Sequence, residues 1–231
     1  MSLIAAWFWL FLSLIPLLIL ERWIHRHVQG IGLLLMRDPD LATLFYAALF
    51  FPGVLLHEGS HWAMAKLLGV RTARMSLFPR RQQDGTLRLG FVETERVDFL
   101  REALIGGAPL IAGTAAVVVI GSWRLAVGSL GAALAAGDAA GIARGLVNSY
   151  VSADSLIWLY LIFTISNSMM PSASDRRAWV PVTAALIIVA VALYYAGAAP
   201  LVLQSVGEPL AAGVRVMASA FSITIGVDLL M

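Results

Sequence analysis

The sequence contains no cysteine and little charge: 13% of its 231 residues are charged, and four more are histidines. Without cysteine, disulfide bonds, thiolate metal sites and thiol catalysis are excluded. The shortage of charge accompanies 60% hydrophobic residues and a mean hydropathy of +0.84, values typical of a membrane protein. A net charge of only +2 gives no support for a nucleic-acid partner.

Long apolar runs predict about six transmembrane helices, since each crossing needs roughly 20 mainly apolar residues. The runs lie at residues 3–20, 41–68, 99–123, 155–170, 178–199 and 209–231. We expect an all-α polytopic membrane protein with one domain over residues 1–231. The first run is expected to be retained, because it lacks the basic segment and cleavage site of a signal peptide. Residues 126–154 are interpreted as a connector.

One polar stretch, residues 70–98, interrupts the apolar runs. Its alternating segments flank Gln83-Asp84-Gly85, and Asp-Gly between such segments is a β-hairpin signal. We therefore predict a small β-hairpin at the membrane surface after the second helix. Its strands are expected near residues 74–79 and 86–93.

The basic residues predict the orientation, because Lys and Arg accumulate in cytoplasmic loops. An amino terminus inside places 10 of the 16 basic residues on the cytoplasmic side. These are Lys66, Arg71, Arg74, Arg80, Arg81, Arg88, Arg96, Arg101, Arg176 and Arg177. We predict a multi-pass protein of a prokaryotic cell membrane, with the hairpin and both termini in the cytoplasm.

The segment LLHEGSHWAMAKLLGV, residues 55–70, places ionisable side chains inside an apolar run. His57 and His61 are spaced i, i+4, which brings both imidazoles onto one helix face, close enough to share a metal ion. Glu58 would lie beside the open coordination position, where a carboxylate can accept a proton from water. Ionisable residues inside a span are costly and usually functional, so this triplet predicts a zinc site.

Two histidines leave a catalytic zinc one protein ligand short, and depth in the membrane narrows the choice of carboxylate. His57 lies about 24 Å along the second run, and Asp175 lies at most about 30 Å along the fourth, at 1.5 Å per residue. Both are expected near the cytoplasmic face. Glu102, at the inner entrance of the third helix, is the rival ligand. The other carboxylates considered are expected at outer ends or a terminus: Asp154, Glu208 and Asp228.

Two further histidines lie in the segment ERWIHRH, just past the first apolar run. His25 and His27 stand there among charged residues, where an aromatic ring with a polar tip suits the membrane interface. We interpret both as solvated interface residues outside the metal site.

The segment HEGSH in the second run and NSMMPSASD, residues 167–175, in the fourth resemble the two signatures of the site-2 protease family of intramembrane zinc metalloproteases. The resemblance implies Asp175 as the third zinc ligand beside His57 and His61, with Glu58 as the catalytic base. It also implies Asn167 as a substrate-aligning amide and Pro171 as a helix breaker. This sequence departs from the family pattern in the position of Pro171, one residue late, and in Arg176, where the family usually has glycine.

The segment IGGAPLIAG, residues 105–113, resembles the small-residue stretch that follows the hairpin in the same family. Its glycines also suit close helix packing, which is the interpretation we favour, and no catalytic role is assigned to them.

The resemblance implies cleavage of membrane-spanning proteins, with zinc as the cofactor. The expected partners are a transmembrane protein substrate, the lipid bilayer and a regulatory membrane protein. The hairpin edge is expected to hold an unwound substrate as an added strand. Three alternatives stay open: a membrane metalloprotease with Glu102 as the third ligand, a pseudoprotease or chaperone that binds helices, and a transporter. The absence of an internal repeat disfavours the transporter.

Overall fold

A computed structural model describes residues 3–81, 87–88, 90–125, 138, 140–141 and 154–231. The described part is mostly helical. Its helices are α1 (Leu3–Met36), α2 (Pro39–Leu49), α3 (Phe51–Leu67), α4 (Phe99–Arg124), α5 (Ser155–Ser166), α6 (Trp179–Tyr195) and α7 (Ala199–Leu230). The predicted turn at Gln83-Asp84-Gly85 and nearly all of the predicted connector at 126–154 lie outside the described residues.

Three of the helices in the described part, α1, α4 and α7, are long and apolar enough to cross a membrane. Together α2 and α3 would make a fourth span, bent by 70° where they meet. The remaining two, α5 with 12 residues and α6 with 17, fall short of the roughly 20 needed for a crossing. The apolar helices are consistent with an integral membrane protein, but the predicted count of six spans is not confirmed.

The predicted second helix, residues 41–68, is divided into α2 and α3. Pro52 stands in the first turn of α3, where its missing N–H and fixed φ favour the start of a helix over the continuation of one. The start of α2 is set by Asp38, whose carboxylate accepts hydrogen bonds from the backbone N–H groups of Asp40 and Leu41 at 2.8 and 2.9 Å. These local signals place the bend at Phe50, ahead of the histidine pair.

The hairpin predicted after the second helix is present. Strand β1 (Thr72–Ser76) pairs antiparallel with β4 (Phe91–Thr94), with Met75 opposite Val92. The short strands β2 (Arg80–Arg81) and β3 (Leu87–Arg88) pair further out. The pairing of β1 with β4 carries the hairpin back over α3, which both strands contact.

Helices α1 and α7 pack side by side and run in the same direction. Leu10 and Leu17 of α1 share a buried cluster with Val214 and Phe221 of α7, and further along both helices Ile24 and Val227 belong to a second cluster. Two parallel helices that both cross a membrane have their amino ends on one face and their carboxyl ends on the other. This packing gives no support to the expectation that both termini lie on one face.

Three glycines allow α3, α4 and the chain around α5 to approach closely. A Cβ at Gly53 would overlap the backbone carbonyl of Thr164, and a Cβ at Gly106 would overlap that of Asp175. Further along α4, a Cβ at Gly113 would overlap the side-chain Cβ of Met169. Gly106 and Gly113 thus pack closely, but against the loop after α5 and not against a helix, whereas Gly107 has room for a side chain.

Candidate metal centre

His57, His61 and Asp175 come together between α3 and the loop that follows α5. One ligand atom from each lies within 4.8 Å of the others. The two Nε2 atoms are 3.2 Å apart, and the carboxylate oxygens lie 3.7 Å from Nε2 of His57 and 3.5 Å from Nε2 of His61. Zinc bonds of about 2.0–2.1 Å in tetrahedral geometry separate neighbouring ligand atoms by about 3.3 Å. The three donors are therefore close enough to hold one metal ion, with Oδ2 of Asp175 nearer His57 and Oδ1 nearer His61.

Backbone carbonyls orient both imidazoles. Nδ1–H of His57 donates to the carbonyl of Ser168 at 2.6 Å, and Nδ1–H of His61 donates to the carbonyl of Ile105 at 2.8 Å. Because a carbonyl can only accept, each neutral ring carries its proton on Nδ1 and keeps an unshared pair on Nε2. Both unshared pairs belong to the atoms nearest Asp175. Fixing the tautomer through the second nitrogen in this way is the usual arrangement of metal-binding histidines.

The carboxylate of Asp175 is held in place by its own loop. The backbone N–H of Ser172 donates to Oδ2 at 2.7 Å, and the hydroxyl of Ser172 accepts from the backbone N–H of Asp175 at 3.3 Å. Burial of this side chain opposes its ionisation. Hydrogen bonds from the rings of His57 and His61, when these carry a proton on Nε2, and from Ser172 outweigh burial and hold the pKa of Asp175 well below its usual range. The group is therefore in the ionised form that a metal ligand requires.

The loop that carries Asp175 begins earlier than the sequence predicts. Helix α5 ends at Ser166, although the apolar run continues to residue 170, and Asn167 forms its carboxyl cap. Pro171 consequently lies inside the loop and does not end the helix. Beyond this early end, the carbonyl of Ser168 faces His57 and the carbonyl of Asn167 faces His25.

Glu58 points into the same region from the helix that carries both histidines. Its side chain is buried and lines a cavity of about 680 Å³ together with all three candidate metal ligands. The hairpin covers it: a Cβ added at Gly90, next to β4, would lie 2.7 Å from Cγ of Glu58. The sequence-predicted base thus lies beside the donor group, under the sheet.

Two other predicted residues take different positions. Glu102 lines the cavity but is exposed in the first turn of α4, and among the described residues it does not belong to the three-donor group. Asn167 is buried, and its side-chain N–H groups donate to Asp228 on α7 at 2.8 Å and to the carbonyl of Phe163 at 2.9 Å. Its substrate-aligning role stays a prediction.

The interpretation of His25 as a solvated interface residue is wrong. Its ring lines the cavity, half-buried, where Nε2 lies 3.0 Å from the carbonyl oxygen of Asn167 and Nδ1 lies 2.5 Å from the hydroxyl of Tyr46. His27 is exposed, as expected, and binds the carbonyl of Trp23 within its own helix. The sequence did not indicate a role for His25, because its charged neighbours suggested a solvated position. It did not indicate Tyr46 either, because a single aromatic residue in an apolar run is ordinary.

Comparison of the chain with protein-family models, with curated proteins and with solved structures gives no match.

The contact between Gly106 and the Asp175 loop leads us to predict that a larger residue at position 106 weakens metal binding. Gly106→Ala places a methyl group against the backbone carbonyl of Asp175, so the loop must move away and carry the third ligand with it. We expect zinc affinity to fall by at least about 10-fold, which is the lower end of the loss seen when a group that orients a metal ligand is removed. Zinc titration of the purified variant, in competition with a chelator, measures the change.

Gly107→Ala is the matched control, because the nearest atom to its added methyl group would be Cζ2 of Trp179, 3.8 Å away. The two variants make the same chemical change in the same helix. If both bind zinc as the unmodified protein does, the Asp175 loop is not held by α4 as described.

Proposed function

We propose that this protein is an intramembrane zinc metalloprotease of site-2 protease type, which hydrolyses peptide bonds in or near transmembrane segments of membrane-protein substrates. The observation that carries the proposal is the convergence of His57, His61 and Asp175 at distances suited to one zinc ion, with Glu58 in the same cavity. The two sequence segments that resemble the family signatures supply these four residues.

The residues have separate tasks in this proposal. The two histidines and the aspartate would hold the zinc ion, which would supply a Lewis acid and lower the pKa of a bound water. Glu58 would accept a proton from the attacking water and return it to the leaving amine. Glu58 is buried beneath Gly90 and lines the same cavity as the candidate ligands, so its carboxylate lies within the region where the reacting water would be held.

The hairpin suits the handling of an unwound substrate. Peptide bonds in a membrane helix are protected by the absence of water and by their own hydrogen bonds, so a substrate must unwind before cleavage. An added β-strand replaces the lost helical hydrogen bonds with bonds to a sheet edge. The sheet of β1 and β4 contacts α3 and lies over Glu58, so a strand added there passes the site.

The alternatives differ in which residues they require. A membrane metalloprotease with a glutamate ligand needs Glu102 at the metal, but Asp175 takes that position in the described part of the chain. A chaperone or pseudoprotease that binds helices needs neither the metal nor Glu58. A transporter would bind and release a solute, and the described residues give that function no specific support.

A cleavage assay tests the proposal. The purified protein and a model substrate with one transmembrane segment are combined in liposomes, before and after removal of metal with a chelator. We expect product from the metal-loaded protein, none after chelation, and recovery when zinc is restored. Product that forms equally well in the stripped protein would count against a metalloprotease.

The orientation gives a separate prediction. The basic residues around the hairpin favour the cytoplasm, and the metal site then opens on the cytoplasmic side. We propose that the amino terminus and the hairpin are cytoplasmic, so a reporter inserted after Gly85 should be active only in the cytoplasm. A second reporter, after Met231, locates the carboxyl terminus. The charge pattern predicts the cytoplasm, whereas the parallel packing of α1 and α7 favours the opposite side.

A hairpin reporter active outside the cytoplasm would overturn the orientation. It would leave the metal site unaffected, since the donor geometry does not depend on the direction of insertion.

A further inference from the structure

We infer that His25 is a positioning residue of the metal centre, acting through the backbone of residues 167–168 on the orientation of His57. The inference rests on the proposed metal site and adds a part of that site that the sequence motifs do not include. It involves Tyr46 on α2 and Asp228 on α7 as supporting groups.

Two consecutive carbonyls connect the two histidines. The carbonyl of Asn167 accepts from Nε2–H of His25 at 3.0 Å, and the carbonyl of Ser168 accepts from Nδ1–H of His57 at 2.6 Å. A single peptide unit therefore separates the ring of His25 from the hydrogen bond that orients a metal-binding imidazole. Movement of one carbonyl changes the direction of the next.

These carbonyls need partners because α5 ends just before them. The carbonyls at the end of a helix have no partner within the helix, so they need donors from neighbouring elements or from water. His25 and His57 supply the two missing donors from α1 and α3. The early end of α5 at Ser166 is thus coupled to the metal site through both histidines.

Tyr46 fixes which nitrogen of His25 carries the proton. Its hydroxyl donates to Nδ1, which leaves the proton on Nε2, where it faces the carbonyl of Asn167. The tyrosine is buried, and its ring and that of Phe50 pack against the imidazole, with centroids 5.9 and 5.1 Å away. The tautomer and the tilt of His25 are both held.

The side chain of Asn167 holds the same segment from the opposite direction. Its amide donates to Oδ1 of Asp228 at 2.8 Å, so residues 167–168 are connected to α7 as well as to α1. Both Asn167 and Asp228 are more than nine-tenths buried. A segment held from two helices presents a fixed carbonyl to His57.

Two substitutions separate hydrogen bonding from packing at position 25. His25→Phe keeps an aromatic ring between Tyr46 and Phe50 but removes the donor to Asn167. His25→Gln removes the ring but keeps an N–H at a similar reach. We expect His25→Phe to weaken zinc binding by about 10- to 100-fold, as for other groups that orient metal ligands, and His25→Gln to bind within a few-fold of the unmodified protein.

The measurement is zinc affinity by chelator competition, followed by the visible absorption spectrum of the Co²⁺-loaded proteins, which reports the geometry around the ion. His27→Ala is the matched control, because His27 lies on the same helix, is exposed and binds Trp23 of its own helix. It should have no effect. Tyr46→Phe should give a smaller loss than His25→Phe, since it removes only the hydroxyl that selects the tautomer.

The outcomes distinguish a failure of the positioning role of His25 from a failure of the proposed metal site. If the unmodified protein binds no zinc, the metal site itself fails. If it binds zinc, and His25→Phe binds equally well with an unchanged Co²⁺ spectrum, the positioning role of His25 is overturned. The role is also overturned if His25→Gln is the weaker variant, because ring packing would then be what matters.

Discussion

Glu58→Gln is expected to abolish cleavage while zinc stays bound. Glutamine keeps the size and hydrogen-bonding capacity of glutamate, so the packing beneath Gly90 is retained. It cannot accept the proton of water, and loss of a general base typically lowers the rate by about 10²- to 10⁴-fold. The cleavage assay in liposomes therefore needs a range of at least about 10⁴, and zinc content is measured on the same preparations.

Gly59→Ala is a suitable control for this change. It alters the neighbouring residue on α3, where an added methyl group has no described atom within 4 Å, and it should leave both cleavage and zinc unchanged. Cleavage by Glu58→Gln at the rate of the unmodified protein would refute the catalytic role of Glu58. Binding of transmembrane helices without cleavage, equally strong in both proteins, would favour the chaperone alternative.

Asp175→Ala is expected to weaken zinc binding by more than about 100-fold, the upper range for groups that only support a ligand. The substitution removes one of three protein donors, and the two histidines that remain do not complete the usual set. Chelator competition with zinc measures the affinity. The cleavage rate should fall with zinc occupancy.

Glu102→Ala is compared with Asp175→Ala to determine which carboxylate is the third metal ligand. Glu102 lines the same cavity but is exposed, outside the three-donor group of the described residues. It should bind zinc as the unmodified protein does. The reverse result, with zinc lost in Glu102→Ala and kept in Asp175→Ala, would establish the glutamate-ligand alternative.

The sequence pointed to the members of the candidate metal group through a local spacing and through a family resemblance. The i, i+4 spacing of His57 and His61 fixes their common face in any helix. Depth in the membrane left Asp175 and Glu102 as alternatives, and the resemblance to the site-2 protease family singled out Asp175. The donor groups provided by the backbone were not predictable, because every residue has a carbonyl and only the packing selects Ser168 and Ile105.

The fold was predictable at the level of apolar runs and the hairpin, but not at helix ends. Hydropathy does not register Pro52, which starts a new helix within one apolar run, or the end of α5 at Ser166 within another. The same limit explains the error at His25. Its sequence neighbours are charged, and its role depends on Tyr46 and Asn167, which are far from it in the chain.

The most direct test of the metal centre is the zinc content of the purified protein, with the unmodified chain and His57→Ala prepared side by side. His57 provides one donor of the group and holds the carbonyl of Ser168, so its loss removes a ligand and an anchor together. We predict about one zinc per chain in the unmodified protein, as for a single three-ligand site, and almost none in the variant. Equal zinc in the two proteins, or none in either, would contradict the account.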